Sequence, residues 1–412
     1  MSKQQVAIQR RKFIGNISKM GILSTLAATP VAGIARQLQQ LTARPEEGHI
    51  FLAKPYLQNP APDSMSIMWI TNKLCYSWVE YGEGDNLDLK AHETKDGLIN
   101  AYNRVNCVQL EGLKPATRYS YKVISKEITD FQPYKVTYGN SISSEVYSFT
   151  TPNPKADTVS WLVMNDIHDR PHSFTQLLNL NSDEPYDYVF FNGDMFDYQT
   201  NEQQIIDHML APCIESFASK TPFLFVRGNH ETRGKFAREL SSYFSNIGGQ
   251  NYFSFQAGPV FNIVLDTGED KEDTHPVYAG IVDFDSYRRK QAVWLEKQMQ
   301  SAAYKKSKFR VVMMHIPHYY SDNAHGTLHC RELFAPLFDK YKIDIFIAGH
   351  THTYGVFNPV AGKHSYPIII GGGPKDGNRT LIKVKAGKKI LQLSMLKDDG
   401  TEVGKYTANS KR

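Results

Sequence analysis

Five short clusters of aspartate, asparagine and histidine could do chemistry together in this sequence. Taken singly, each cluster is weak evidence for a functional site. An aspartate after a strand is most often a turn or cap residue, and a histidine in that position is most often a core residue. Each cluster, however, follows a short apolar run that predicts a buried strand. The clusters are Asn165-Asp166-Ile167-His168-Asp169, Gly193-Asp194-Met195-Phe196-Asp197, Arg227-Gly228-Asn229-His230-Glu231, His315-Ile316-Pro317-His318 and Gly349-His350-Thr351-His352. Five of them in series argue against a purely structural explanation.

The composition of these clusters favours a metal centre. Carboxylate, amide oxygen and imidazole suit zinc, iron or manganese, and the lack of thiolate argues against a structural zinc site. Seven such ligands are enough for two metal ions that share one aspartate and keep open positions for water and substrate. Two neighbouring ions can clamp the attacking and leaving oxygens of a phosphoryl displacement, and zinc lowers the pKa of a bound water to about 7.

The elements that must position the clusters alternate in type from residue 160 onward. Strands are predicted at 161–164, 188–191, 223–226, 309–314 and 343–348, and helices at 202–219, 236–244, 286–303 and 330–341. This alternation predicts an α/β domain of layered sheets covered by helices. Ligands gather at the carboxyl ends of strands in such domains, which is where the clusters fall.

Residues 49–151 have a different pattern, with short strand candidates separated by turn signals. The stretch 113–123 combines a leucine, a proline turn and alternating tyrosines, and it resembles the tyrosine-corner strand of fibronectin type III sandwiches. Residues 127–145 are predicted to form a longer hairpin insertion. We therefore expect one β-sandwich of about a hundred residues, without an evident catalytic cluster of its own.

Residues 1–35 are predicted to be a twin-arginine signal peptide, and 36–47 a polar linker. The leader contains Gln9-Arg10-Arg11-Lys12-Phe13-Ile14, followed by a mildly apolar stretch that ends in small residues. That stretch is too short and too interrupted to span a bilayer. We expect export to the periplasm or the exterior by the bacterial twin-arginine route, without a stable membrane anchor.

The overall charge gives no argument for a nucleic-acid partner. The formal net charge of +5 is carried entirely by residues 1–35, which contain five basic residues and no acidic one. The four cysteines are widely spaced and form no CxxC pair, so they predict neither a zinc site nor a disulfide framework. Pairing of Cys75 with Cys107 within the sandwich stays open.

The motif series D-x-H, GD-x-x-D, GNH-E, H and GH-x-H across residues 166–352 resembles the calcineurin-like metallophosphoesterases. The preceding sandwich makes the purple acid phosphatase type the nearest likeness. The resemblance implies an all-β, fibronectin III-like sandwich at residues 48–152 and a four-layer αββα catalytic domain of the α/β class at residues 156–412.

The resemblance also implies roles for particular residues of this chain. Asp166, His168 and His352 would hold the first metal, Asn229, His315 and His350 the second, and Asp194 would bridge the two. His230 would bind the phosphoryl oxygen or protonate the leaving group. His325 falls where purple acid phosphatases carry a substrate-facing histidine, and His318 would pack behind the ligands.

Two positions depart from the purple acid phosphatase pattern. Those enzymes carry a tyrosine three residues after the bridging aspartate, where this chain has Asp197 and places Tyr198 one position later. They also lack the histidine that this chain has at His168. The resemblance therefore does not imply an obligatory ferric ion or purple colour, and Asp197 is expected to orient a ligand histidine.

The function expected from the sequence is that of an exported, acid phosphatase-like phosphoric ester hydrolase. Two divalent or trivalent ions of iron, zinc or manganese would serve a metal-bridging hydroxide that attacks a small-molecule phosphate ester. A phosphodiesterase or a nucleotidase using the same site is the alternative within the enzyme class. Outside it, the chain could be an exported binding or adhesion protein whose second domain is a non-catalytic scaffold. The oligomeric state stays open.

Overall fold

The computed structural model describes residues 48–412 of the chain. The predicted signal peptide at 1–35 and the linker at 36–47 lie outside the described residues. Between residues 48 and 412, no helix is both long and apolar enough to cross a membrane. Residues His49–Arg412 form one compact unit.

The first part of this unit is an antiparallel sandwich. Its strands are β1 (Phe51–Ala61), β2 (Ser64–Glu83), β3 (Leu89–Ala91), β4 (Thr94–Lys95), β5 (Leu98–Ile99), β6 (Ala101–Leu110), β7 (Arg118–Gln132), β8 (Lys135–Ser143) and β9 (Tyr147–Thr150). The long strand β2 pairs with β1 and β6 mainly along its first half and with β7 along its second half. It therefore belongs to both layers, and the two strands predicted near residues 66–70 and 77–81 are one strand.

The tyrosine corner predicted from the sequence is present. The Tyr119 hydroxyl accepts a hydrogen bond of 2.9 Å from the backbone N–H of Lys114, five residues upstream. Tyr119 is buried against Phe149 of β9, with ring centroids 5.9 Å apart. The hairpin insertion is also present as β7 and β8. Cys75 and Cys107 are both free, so the pairing left open by the sequence does not form.

The second part contains two mixed six-stranded sheets. Its strands are β10 (Thr158–Met164), β11 (Tyr188–Asn192), β12 (Phe223–Val226), β13 (Phe253–Ala257), β14 (Val260–Leu265), β15 (Phe309–Met314), β16 (Ile345–Ala348), β17 (Gly355–Phe357), β18 (Ile368–Ile370), β19 (Thr380–Gly387), β20 (Ile390–Lys397) and β21 (Glu402–Asn409). One sheet has the order β12-β11-β10-β19-β20-β21, and the other β13-β14-β15-β16-β18-β17. Strands β10, β11 and β12 are mutually parallel, as are β14, β15, β16 and β18.

Helices cover the outer face of each sheet. They are α1 (His172–Asn179), α2 (Glu202–Ile205), α3 (Ala211–Cys213), α4 (Phe284–Gln300), α5 (Ala302–Lys306) and α6 (His325–Tyr341), with π-helical turns at Ile206–Leu210 and Ile214–Ala218. In β10, Trp161 and Val163 pack between the sheets, whereas Leu162 and Met164 pack toward α1. This alternation follows from the two-residue period of a strand. The layers are helix, sheet, sheet and helix, which confirms the predicted fold class.

Two helix predictions need correction. Residues 236–244 form turns and a short 3₁₀ turn at Leu240–Tyr243, because the backbone N–H groups of Glu239, Ser242 and Phe244 bond to carbonyls three residues earlier instead of four. The helix predicted at 286–303 ends at Gln300, and α5 restarts after it. Ser301 is extended there and caps α5 by accepting a hydrogen bond from Tyr304 N.

The sandwich packs directly against the second part through buried polar and aromatic contacts. Tyr56 stacks on Phe223, and its hydroxyl donates a 2.8 Å hydrogen bond to the Tyr243 carbonyl. The Tyr121 hydroxyl likewise donates to the Ser219 carbonyl at 2.8 Å. Because these partners are buried, removing one side of such a bond would leave the other side unsatisfied. The sandwich thus supports the sheet that carries the first three motif clusters.

Candidate metal centre

All seven predicted metal ligands lie just beyond the carboxyl ends of five strands. Asp166 and His168 follow β10, Asp194 follows β11, Asn229 follows β12, His315 follows β15, and His350 and His352 follow β16. The first three strands belong to one sheet and the last two to the other. The ligand loops of both sheets therefore meet at one edge of the layered core.

The backbone of these loops is left-handed at five of the seven residues. The φ angle is 53° at Asp166, 50° at His168, 55° at Asp194, 71° at His350 and 55° at His352. This region costs a non-glycine residue roughly 1–2 kcal/mol. Cross-loop hydrogen bonds hold it, including His168 N to the Asp194 carbonyl at 3.0 Å. Strain of this kind is concentrated at functional sites.

Asp166, His168 and His352 form the first of two ligand clusters. Their ligand atoms all lie within 4.8 Å of one another. His352 Nε2 is 3.2 Å from Asp166 Oδ1 and 3.0 Å from His168 Nε2. Asp166 is fully buried, and its Oδ2 accepts hydrogen bonds from Asn165 and from the backbone N–H of His350. Its Oδ1 is thereby left facing the two imidazoles.

Asp194, His315 and His350 form the second cluster, joined by the amide oxygen of Asn229. His315 Nε2 lies 2.9 Å from Asp194 Oδ2, and His350 Nδ1 lies 3.0 Å from Asn229 Oδ1. Asp194 Oδ2 is also 3.6 Å from His168 Nε2 in the first cluster. Asp194 therefore contacts both clusters, in the position expected of a carboxylate shared by two ions.

Two buried ligand atoms in this centre have no hydrogen-bond partner, namely Asp166 Oδ1 and His315 Nε2. The Nδ1–H of His315 donates to the Asn192 carbonyl at 2.7 Å, so in the neutral ring the Nε2 lone pair faces the Asp194 carboxylate. Two facing acceptors repel unless a proton or a metal ion lies between them. The donor set therefore fits metal ions.

The pKa values of the ligand groups reflect the same need for positive charge. Burial lowers the pKa of His315, but the Asp194 and Asp166 carboxylates outweigh it and raise that pKa to about 10. Burial also lowers the pKa of His168, yet Asp166 and Asp194 raise it to about 9. Conversely, burial raises the pKa of Asp194, but His315 holds it at about 2. The centre therefore attracts cations.

Asp197 and Glu231 support the ligands from behind. The Nδ1–H of His168 donates to Asp197 Oδ1 at 2.8 Å, which directs Nε2 toward the centre. This contact agrees with the orienting role expected for Asp197. Glu231 is fully buried and accepts backbone N–H groups from four residues of the ligand loops, namely Asp194, Met195, Phe196 and Gly228. It ties the loop after β11 to the loop after β12.

His230 lies at the centre, as expected from the sequence. Its Nδ1–H donates to the Asp197 carbonyl at 2.7 Å, and its Nε2 is 4.0 Å from Asp194 Oδ2. Arg233 Nη1 approaches the same Nε2 at 3.1 Å. Burial lowers the pKa of His230, and the Arg233 and His168 cations lower it further against the attraction of Asp194.

His325 contacts a different group of side chains from the seven predicted metal ligands. It is the first residue of α6, and its Nε2–H donates to Asp285 at 2.8 Å. His329, one turn later, lies 2.9 Å from the same Asp285 oxygen. The Arg288 guanidinium is 3.0 Å from that oxygen and already neutralises it, so this group is a poor cation site. A substrate-facing role for His325 stays a prediction.

Three residues around the centre were not singled out as site residues by sequence reasoning: Glu231, Arg233 and Glu269. Glu231 belongs to the quoted GNH-E motif, and its burial was the missing information. Glu269 lies in the 267–283 loop, where no pattern marks it. His318, by contrast, is buried as expected and contacts the Tyr366 hydroxyl at 2.7 Å. Burial lowers its pKa to about 3.

Comparison with known proteins agrees with this architecture. The family model described as calcineurin-like phosphoesterase matches residues 160–354, and that of the purple acid phosphatase N-terminal domain matches residues 53–151. Purple acid phosphatase 21 of Arabidopsis thaliana is 26% identical over 378 residues, covering 86% of this chain and 76% of the relative. Acid phosphatase type 7 of Danio rerio is 24% identical, covering 80% and 74% respectively.

A solved structure supports the fold independently. Purple acid phosphatase PPD1 from yellow lupin (Lupinus luteus) seeds matches with a TM-score of 0.66 at 18% identity, covering 86% of this chain and 74% of that one. The resemblance drawn from the sequence motifs is confirmed. The chain contains a calcineurin-like phosphoesterase domain, preceded by a purple acid phosphatase N-terminal domain.

Proposed function

We propose that this chain is an exported, dinuclear metal-dependent phosphatase that hydrolyses small phosphate esters. The observation that carries the proposal is the pair of ligand clusters joined by Asp194, which lies 2.9 Å from His315 and 3.6 Å from His168. The calcineurin-like phosphoesterase domain at residues 160–354 and the purple acid phosphatase relatives support the same reaction class. We propose that the chain is divided into a sandwich domain at residues 48–152 and a catalytic domain at residues 156–412.

The ligand set would hold two ions with one shared carboxylate. Asp166, His168 and His352 would bind one ion, Asn229, His315 and His350 the other, and Asp194 both. Bound there, the ions would supply Lewis acidity toward the phosphoryl group and acidify water. Carboxylate, amide and imidazole ligands bind iron, zinc or manganese, so the experiment below also determines which of these ions supports activity.

The remaining residues of the centre would orient and protonate. Asp197 holds His168 by its Nδ1–H, and the Asp197 carbonyl holds His230 in the same way. His230 consequently directs Nε2 toward the space beside Asp194, where it could contact a phosphoryl oxygen. Nε2 of the neutral ring accepts from Arg233, so this contact requires the protonated ring, whose proton could pass to a leaving oxygen.

The proposal is tested by metal removal and return. Purified protein treated with a chelator should hydrolyse neither p-nitrophenyl phosphate nor bis-p-nitrophenyl phosphate. Adding zinc, manganese or iron should restore activity on at least one of them, with about two ions per chain by elemental analysis. A chain that binds fewer ions and stays inactive would instead favour the binding or adhesion alternative.

Asp197→Asn should weaken metal affinity at the cluster formed by Asp166, His168 and His352. The amide loses the charged acceptor that fixes the orientation of His168, and changes of this kind typically cost about 10- to 100-fold in affinity. Metal content after dialysis against graded chelator concentrations measures the effect. Asp207→Asn, at an exposed aspartate, is the matched control. Equal retention of metal by both variants would contradict the assignment.

Export is proposed from the twin-arginine leader alone. The expected observation is processing near residue 35 when the full chain is expressed in a bacterium with this pathway. Replacing Arg10 and Arg11 by lysine should leave the precursor in the cytoplasm. Normal processing of that variant would argue against the twin-arginine route.

A further inference from the structure

Arg233 is fixed in a two-pronged hydrogen bond to a buried carboxylate. Its Nε and Nη2 each donate to one oxygen of Glu269, both at 2.9 Å. Glu269 is buried, and it also accepts hydrogen bonds from the hydroxyls of Thr232 and Tyr278. A guanidinium held in this way has lost most of its rotational freedom before any ligand binds.

The third nitrogen of Arg233, Nη1, does not bond to Glu269 and points at the candidate metal centre. Nη1 lies 3.1 Å from His230 Nε2, which is itself 4.0 Å from Asp194 Oδ2. Because His230 Nδ1–H donates to the Asp197 carbonyl, Nε2 of the neutral ring is an acceptor, and Nη1–H donates to it. The Arg233 side chain is 33% exposed, so an incoming anion can reach it.

We propose that Arg233 is a substrate-binding residue that contacts a phosphoryl oxygen beside His230. The inference rests on the proposed phosphoesterase function. Glu269 acts as the positioning residue, since it holds the guanidinium with one edge directed to the centre. An arginine fork that is ordered in advance loses little entropy when it binds an oxyanion, and such charge-assisted hydrogen bonds are the stronger ones.

This role has a consequence for the class of ester. A phosphate monoester presents three non-bridging oxygens and up to two negative charges, whereas a diester presents two such oxygens and one charge. With the metal ligands surrounding one side of the phosphoryl group, the additional monoester oxygen is the one that meets Arg233. A diester places its second ester group there and gains little from the guanidinium. Arg233 should therefore raise the preference for monoesters.

The test compares Arg233→Gln, Arg233→Lys and the control Arg238→Gln in the metal-loaded enzyme. Arg238 is an exposed arginine five residues later whose side chain donates only to the Ile281 carbonyl. Arg233→Gln should lower kcat/KM for p-nitrophenyl phosphate about 10- to 100-fold and that for bis-p-nitrophenyl phosphate by less than about 3-fold. The lysine keeps the charge but not the fork, so its loss should be smaller. Arg238→Gln should change neither.

Inorganic phosphate provides a readout that does not depend on turnover. Its dissociation constant, measured by calorimetry on metal-loaded protein, should rise about 10-fold or more in Arg233→Gln and stay unchanged in Arg238→Gln. Melting temperatures show whether Arg233→Gln is folded. If it is not, the loss of kcat/KM on the monoester relative to that on the diester is measured in Arg233→Lys instead.

The outcomes separate this inference from the function on which it rests. Equal losses on monoester and diester, or phosphate affinity unchanged by Arg233→Gln, would mean that Arg233 only ties the turn after Asn229 to the loop at Glu269. That result would overturn the inference and leave the phosphatase standing. A wild-type protein that hydrolyses neither ester and binds no phosphate would overturn both.

Discussion

Asp194→Asn is expected to lose at least about 1,000-fold in kcat/KM on p-nitrophenyl phosphate and to retain fewer than two metal ions per chain. Changing a residue that merely orients a ligand costs about 10- to 100-fold, and Asp194 contacts both clusters itself. The amide also changes the chemistry at a specific atom. If its oxygen keeps the 3.0 Å hydrogen bond from His230 N, its NH₂ faces His315 Nε2 in place of a carboxylate oxygen.

Asp194→Asn tests the shared carboxylate specifically, because asparagine fills the same space and keeps the hydrogen bond from His230 N. His315 would then be satisfied by the amide and would no longer need a cation. Elemental analysis, activity and a melting curve are measured together, with Asp207→Asn as the exposed control. Full activity and two bound ions in Asp194→Asn would refute the shared-carboxylate assignment.

Glu231→Ala is expected to lower the free energy of unfolding by about 3–5 kcal/mol. The substitution leaves four buried backbone N–H groups without their acceptor, and each such donor costs about 1–3 kcal/mol when unsatisfied, although the costs do not add fully. It also empties the volume between the loops that carry Asp194 and Asn229. Loss of a buried hydrogen-bond network and creation of a cavity are both changes that produce effects of this size.

Urea unfolding of metal-free protein measures this effect apart from metal binding. Glu332→Ala, on the exposed face of α6, is the control and should change the free energy of unfolding by less than about 0.5 kcal/mol. Glu231→Gln keeps one acceptor oxygen and most of the volume, so its loss of free energy of unfolding should lie between those of Glu231→Ala and Glu332→Ala. A loss below about 1 kcal/mol in Glu231→Ala would mean that water replaces the carboxylate, and that the loops do not depend on it.

Local patterns predicted most of the regular elements of the fold. The continuous apolar run at residues 161–164 predicts a buried strand, and both faces of β10 are buried in the structure. The Pro115 turn and Tyr119 predict a tyrosine corner whose hydrogen bond is intramolecular and local. The helix expected at 236–244 was wrong, since its backbone N–H groups bond three residues back, as in turns. The N–H of Phe236 bonds to Gln199 on a distant loop, which no local pattern encodes.

The sequence by itself determined the type of chemistry at this site. Ligand residues placed directly after buried parallel strands lie at the carboxyl edge of a sheet, so their positions along the chain already predict a centre at such an edge. That the edges of two sheets meet there was decided by the tertiary structure. Asp194 could be chosen as the bridging residue on the motif resemblance, and the structure brings it within reach of both clusters.

Only the tertiary structure decided which side chains surround that centre. Arg233 meets Glu269, His325 meets Asp285, and Glu231 meets the N–H groups of the Asp194 loop, across 36, 40 and 37 residues respectively. These pairs join loops whose paths depend on how the sheets and helices pack, and a polar side chain pairs with whichever partner burial brings to it. The periodicity of a strand fixes the direction of its own residues, but it carries no information about the loop that will face them.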